Sequence, residues 1–179
     1  MIPVLFVRDD SDYKQSSRFD CYDKARDATS YDGSASIIAH PPCRAWGVLA
    51  HMAKPAAGEK ELALWAVDKV RQNGGILEHP KGSKLWRRKN LPLVGGFPDA
   101  WGGFCILIDQ YDFGHVASKP TILYIVGCNR SQLPPIPKRG GVPTKSITGQ
   151  VPNTARCTQK EREYTPSLLI EWMAEVIKL

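Results

Sequence analysis

Two short strings hold the side chains best suited to covalent chemistry, His40-Pro41-Pro42-Cys43 and Leu77-Glu78-His79-Pro80. A thiolate can add to an electron-poor ring, and a nearby carboxyl group can protonate or hydrogen-bond that ring. Cys43 has Arg44 beside it and His40 three residues before it, and both cations are expected to lower its thiol pKa. The other reading of Cys43 is a small buried hydrophobe. Cys105 and Cys128 lie in apolar runs and read as core, while Cys21 and Cys157 have no telling neighbours.

Glu78 ends an otherwise apolar run, where an unpaired carboxylate would be costly. It reads as a proton donor, as a recognition group for a base edge, or as half of an ion pair with Arg44 or the Lys81–Lys89 segment. His40, Arg44, Trp46, His79, Ser83, His115 and Lys119 complete the candidate ligand-binding set, with Cys43 and Glu78 as the catalytic pair. His115 taken alone also reads as a satisfied structural histidine. Arg87-Arg88-Lys89 could hold phosphates or form a solvated loop.

Both strings adjoin buried-strand patterns, Ser36-Ile37-Ile38-Ala39 and Gly75-Ile76-Leu77, and a helix-length segment over Glu59–Asn73 separates them. Strand, helix, strand is the crossover unit of a parallel sheet, and ligands bind such sheets outside the carboxyl ends of the strands. The order therefore brings the thiol and the carboxylate to one rim. Within the helix, Leu62, Trp65, Ala66 and Val70 share a face, the start is acidic, and Asn73-Gly74-Gly75 is the stop signal.

Further strands are expected at Val4–Val7, Phe19–Tyr22, Phe104–Gln110 and Thr121–Cys128, the last two joined around Asp112-Phe113-Gly114-His115. A helical turn and loop fit Asp23–Asp32, and one or two helical turns fit Trp46–Met52, broken near Lys54-Pro55. Arg87–Gly103 is a Gly/Pro-rich connection around Trp101. Thr165 should cap a closing helix to Leu179, with Pro166 at its first position. The expectation is α/β: one Rossmann-like domain over 1–179, a mainly parallel sheet with flanking helices, and an irregular Pro/Gly-rich excursion over 131–155.

Length and composition narrow the class. The chain has 179 residues and 42% hydrophobic content, enough for one domain with a real core. No apolar run approaches the roughly 20 residues of a membrane span. The opening Met1–Val7 is too short, and too soon followed by Asp9 and Asp10, to read as a signal peptide. Five cysteines without paired spacing suggest reduced thiols in a cytoplasm, and no Cys/His cluster suggests zinc. A net charge of +6 permits a nucleic-acid partner without demanding one.

Ile37-Ile38-Ala39-His40-Pro41-Pro42-Cys43 resembles the Pro-Cys loop of DNA cytosine-5 methyltransferases, in which the Cys attacks carbon 6 of the base. Ile76-Leu77-Glu78-His79-Pro80 is similar to their Glu-Asn motif, whose Glu holds the N3 edge of cytosine. Asp112-Phe113-Gly114-His115, Lys119 and Ile122–Gly127 resemble a later aromatic-Gly loop and basic strand, and Tyr164-Thr165-Pro166 stands where the final motif falls. The two strings also resemble small phage-type proteins carrying His-Pro-Pro-Cys-Arg-x-Trp-Gly and a later Leu-Glu-His-Pro.

The departures are specific. The family's Gly-rich loop for S-adenosylmethionine is replaced by Val7-Arg8-Asp9-Asp10-Ser11-Asp12, its two arginines are reduced to Lys119, and its Asn is His79. Only some fifty residues follow Gly127, too few for a DNA target-recognition domain. The resemblance thus implies a pocket for a nucleobase or nucleotide, used without S-adenosylmethionine or another cofactor, in a phage-type protein of a bacterial cytoplasm. Sequestering or degrading a host nucleotide signal, and serving as a nucleic-acid-binding accessory subunit, are the other functions consistent with it.

Overall fold

The computed structural model describes residues 1–48, 50–149 and 151–179. Six strands form its central sheet: β1 (Ile2–Val7), β2 (Phe19–Asp23), β3 (Ile37–Ala39), β4 (Gly75–Pro80), β5 (Phe104–Asp109) and β6 (Pro120–Val126). Their spatial order is β2-β1-β3-β4-β6-β5. β1 pairs in parallel with β2 and β3, and β3 with β4, whereas β6 runs antiparallel to both β4 and β5. The chain is therefore α/β with a mainly parallel sheet.

Alternation along the strands explains why both faces are covered. Ile38 and Ile76 face a core completed by Leu169, Ile170 and Met173 of α4 (Ser167–Val176). Ile37, Ala39 and Leu77 face the opposite core, completed by Ala63, Ala66, Val67 and Val70 of α1 (Glu59–Asn73). Each fully buried aliphatic side chain contributes about 1.5–3 kcal/mol relative to exposure, so these two helices hold the sheet. The expected helix limits coincide with α1, but its innermost stripe runs through Ala63 and Val67, with Leu62 and Trp65 at the margin.

Gly74 closes α1 at φ 80°, its N–H bonded to Val70 O at 2.9 Å. Gly75 follows at φ 112°, and a Cβ there would sit 2.0 Å from Ile37 O. Only glycine lets β4 start that close to β3.

Several boundaries differ from the sequence expectation. β4 continues through Glu78 and His79 to Pro80, because ladder pairing with β6 persists as far as Thr121. At α4, Pro166 holds the cap position and no side-chain cap bond is made, so Thr165 is not the cap. The Ser167 hydroxyl instead donates to Asp12 Oδ2 at 2.6 Å. Of Trp46–Met52, Ala50–Met52 forms a 3-10 turn, and Leu49 lies outside the described residues.

The excursion over 131–155 carries β7 (Lys145–Ser146), which pairs in parallel with β8 (Ala155–Arg156); Gln150 lies outside the described residues. Two short helices, α2 (Leu85–Arg88) and α3 (Gln159–Glu163), complete the chain. No helix among the described residues is long and apolar enough to cross a membrane.

Candidate functional site

Because β1, β3 and β4 are parallel and β6 is antiparallel to β4, the ends of the first three strands and the start of β6 meet at one rim. A cleft of about 2290 Å³ opens there. His40, Cys43, Arg44, Glu78, His79 and Lys119 all line it. Its outer wall comes from the excursion, with Val142–Thr148 and Val151–Thr154, and from α3. Small-ligand pockets reach about 1,000 Å³, so space does not restrict the ligand to a lone base.

Glu78 is the most constrained side chain of the rim. Its Oε2 lies 3.1 Å from His40 Nδ1, and its Oε1 accepts from Gln110 Nε2 at 3.1 Å. The other ring nitrogen, His40 Nε2, lies 3.0 Å from the Tyr13 hydroxyl. Burial and the Glu78 charge push the Tyr13 pKa well above its ordinary value. Tyr13 thus stays a phenol, and the His40 ring spans Tyr13 and Glu78 with one nitrogen toward each. Burial alone would raise the Glu78 pKa, yet the His40 hydrogen bond and the Lys119 charge together hold it at about 2. The carboxylate is ionised and fixed, with one lone pair on each oxygen still free for a ligand.

Gln110 also donates to Thr121 Oγ1 at 3.0 Å, and Thr121 donates to Lys119 O at 3.0 Å. This chain ties Glu78 to the turn that carries Lys119. Lys119 Nζ donates to Tyr164 O at 3.0 Å. Burial lowers its pKa, opposed by the negative charges of Glu78 and Glu163.

Cys43 departs from expectation. The residue is exposed and lines the cleft. Lost solvation there, and then the Glu78 charge, raise its pKa against the pull of Lys119. Neither expected cation does the expected work: Arg44 Nε turns away to Glu59 Oε1 at 2.8 Å, and His40 is engaged by Tyr13 and Glu78.

Glu78 and His79 face opposite sides of the sheet, as neighbours in a strand must. His79 is fully buried, with its ring edge-on to Trp86 at 6.0 Å between centroids. Neither ring nitrogen has a hydrogen-bond partner among the described residues, and the Pro42 backbone approaches the ring without reaching bonding geometry. Burial lowers the His79 pKa to about 4, so the ring is neutral near pH 7.

Three residues of the candidate set lie outside the cleft. Trp46 is buried, its Nε1 donating to Lys60 O at 3.1 Å. The Ser83 hydroxyl accepts from Leu85 N at 3.0 Å and so fixes the turn that leads into α2, whose cap position is Lys84. His115 is buried, with Nδ1 accepting from Ala117 N at 3.0 Å and Nε2 lying 2.8 Å from Glu161 O. It therefore ties the β5–β6 connection to α3. Their polar atoms are consumed inside the fold.

Sequence reasoning missed Tyr13 and Gln110. Gln110 carried a readable signal, an amide closing the apolar run Phe104–Ile108. Tyr13 sits in a polar turn and carried none. The acidic loop after β1 also finds its partners here. Asp10 pairs with Arg8 at 2.9 Å and Lys160 at 3.2 Å, and Asp12 accepts from the Tyr164 hydroxyl at 2.9 Å. Arg8 also pairs with Glu163, so this loop anchors the C-terminal segment over the cleft. No protein-family model matches the chain, and no curated protein matches it.

Proposed function

We propose that the cleft is a nucleobase-directed pocket on a Rossmann-like sheet, in which Glu78 takes the hydrogen-bonding edge of a pyrimidine and Cys43 stands beside the ring. The observation that carries this reading is the Glu78 carboxylate, ionised and held by His40 and Gln110 at the rim that also bears Cys43 and Lys119. An anionic acceptor suits the N–H donors of a pyrimidine: the amino group of cytosine, or N3–H of uracil and thymine. The motif resemblance agrees, since it puts a Cys and a Glu in these roles. Lys119 supplies a cation for an oxygen or phosphate of the ligand.

The chemistry open to this pair needs no co-reactant. The Cys43 sulfur forms a bond to carbon 6 as the 5,6 double bond opens, and the thiol proton ends on carbon 5. S-adenosylmethionine has no part in this reading, because the loop after β1 commits Asp10 and Asp12 to the C-terminal segment. One observation favours a second reading, a pocket that sequesters a nucleotide without reacting. The Cys43 thiol is pushed toward its protonated form by burial and by Glu78. Both readings suit a phage-type protein in a bacterial cytoplasm.

Calorimetry with pyrimidine and purine nucleotides, joined to intact-protein mass spectrometry, tests the proposal. Pyrimidine nucleotides should bind, and Glu78→Gln should weaken them about ten- to hundredfold, the worth of a hydrogen bond to a charged group. Cys43→Ser should keep binding and lose any covalent adduct. No binding by any pyrimidine, or equal binding by Glu78→Gln, would refute the reading. A saturable signal with S-adenosylmethionine would replace it with a methyl-transfer site.

A further inference from the structure

A loop at the far end of the sheet presents large apolar side chains to solvent. Leu93, Phe97 and Trp101 are 83%, 93% and 51% exposed, and none of them lines the cleft. The loop leads into Phe104, which pairs with Ile125 and so lies level with Ile76 at the start of β4, whereas Glu78 and His79 lie toward its other end.

This loop is firmly held. Asp99 accepts from the backbone of Trp101 at 3.1 Å and of Gly103 at 3.0 Å, and from the Tyr124 hydroxyl at 2.7 Å. Arg130 donates to the carbonyls of Gly95 and Gly96 at 3.3 and 3.0 Å. Rigid, exposed aromatics that contribute nothing to the core mark a contact surface.

The surrounding chemistry selects the partner. The Arg71 guanidinium covers Trp101, 4.0 Å from the ring centroid, and the same group donates to Lys89 O at 3.1 Å. The end of α2 is thereby tied to the aromatic loop. Arg87 and Arg88 of α2 are exposed, as are Lys81 and Lys84 before them. Lys89 pairs with Asp68 at 2.5 Å, and Asp99, the one acid in sequence between Lys81 and Phe104, is already committed to Arg71 and Tyr124, which leaves Lys81, Lys84, Arg87 and Arg88 as the exposed cations of this stretch.

We propose that this face binds a single strand of nucleic acid, with unpaired bases stacking on Phe97 and Trp101 and phosphates meeting Arg87 and Arg88. Aromatic platforms beside a basic track bind single strands with little sequence preference. Base stacking and phosphate contact do not depend on the sugar, so DNA and RNA should bind alike. Self-association through the same face would bring two basic flanks together, which like-charge repulsion opposes.

Fluorescence anisotropy with labelled 20-nucleotide oligothymidylate and oligouridylate, at about 50 mM salt, tests this. Phe97→Ala, at a position too exposed to affect folding, should weaken both strands at least about fivefold while nucleotide binding in the cleft is unchanged. Replacing Arg87 and Arg88 together by Ala should flatten the salt dependence by about 1.4 in log–log slope. Excess free pyrimidine nucleotide should leave the strand bound, which separates this site from the cleft. The proposal fails if wild-type protein binds neither strand, or if Phe97→Ala binds as tightly as wild type. It fails equally if free nucleotide displaces the strand, if duplex or one sugar type is preferred tenfold, or if sedimentation shows a dimer that Phe97→Ala dissolves.

Discussion

His40 Nδ1 and Glu78 Oε2 lie 3.1 Å apart, joining the ends of two adjacent parallel strands. This contact links the two strings that carry the chain's reactive residues. Tyr13 completes it from behind, since its hydroxyl lies 3.0 Å from the other ring nitrogen and fixes the ring's orientation. The consequence is a carboxylate whose position and charge are set before any ligand arrives, which lowers the cost of binding one.

Gln110 should prove to be a positioning residue. Gln110→Ala removes the donor to Glu78 Oε1 and leaves a void at a fully buried site. Unfolding free energy should fall by about 2 kcal/mol, as read from urea denaturation. Nucleotide affinity should fall more than stability explains. A variant as stable and as tight-binding as wild type would show that the contact does not constrain Glu78.

Cys43 alkylation should report the Glu78 charge. Because Glu78 raises the thiol pKa, Glu78→Gln should lower it and speed reaction with iodoacetamide near pH 7. Lys119→Met should slow the reaction, since Lys119 pulls the other way. Buried Cys105, with its pKa pushed up to about 12 by burial, should stay unlabelled in the folded protein. Unchanged Cys43 rates in both variants would mean that neither charge reaches the sulfur.

Acid should destabilise the fold through His79. Its pKa is about 4 in the folded chain, against about 6.5 unfolded. Above about pH 6.5 both states are neutral and nothing is gained or lost. As pH falls from there toward 4, only the unfolded chain takes up the proton, and stability declines by up to about 3 kcal/mol. Glu78, held at about 2, adds a further loss as pH falls below its unfolded value near 4.5 and through its folded one. His79→Phe forfeits no hydrogen bond and should flatten the stability profile between pH 4 and 6.5. An unaltered profile in that variant would show that another group governs the decline.

Ser83→Ala should separate a turn contact from a ligand contact. Loss of the bond to Leu85 N should cost about 1 kcal/mol of stability and leave nucleotide affinity untouched. A drop in affinity at constant stability would move Ser83 back into the binding site.

The resident elements were legible because their signals are local. Ile37–Ala39 and Glu59–Asn73 coincide with the expected strand and helix, since apolar period and glycine stops act within a few residues. The order of these two elements and β4 also implied that Cys43 and Glu78 share a rim, and both line the same cleft. The strand limit at Glu78 was less legible, because its ladder with β6 depends on residues more than forty positions later.

What the sequence by itself determined is thus the α/β alternation and the delivery of a thiol and a carboxylate to one edge. Tertiary structure decided the state of those groups. Arg44 is adjacent to Cys43 in sequence yet pairs with Glu59, while Tyr13 and Gln110, distant from both strings, govern His40 and Glu78. The physical reason is that charge and hydrogen-bond geometry follow distance through space and loss of water. Chain proximity sets neither, so the Cys43 pKa rises where its sequence neighbours suggested a fall.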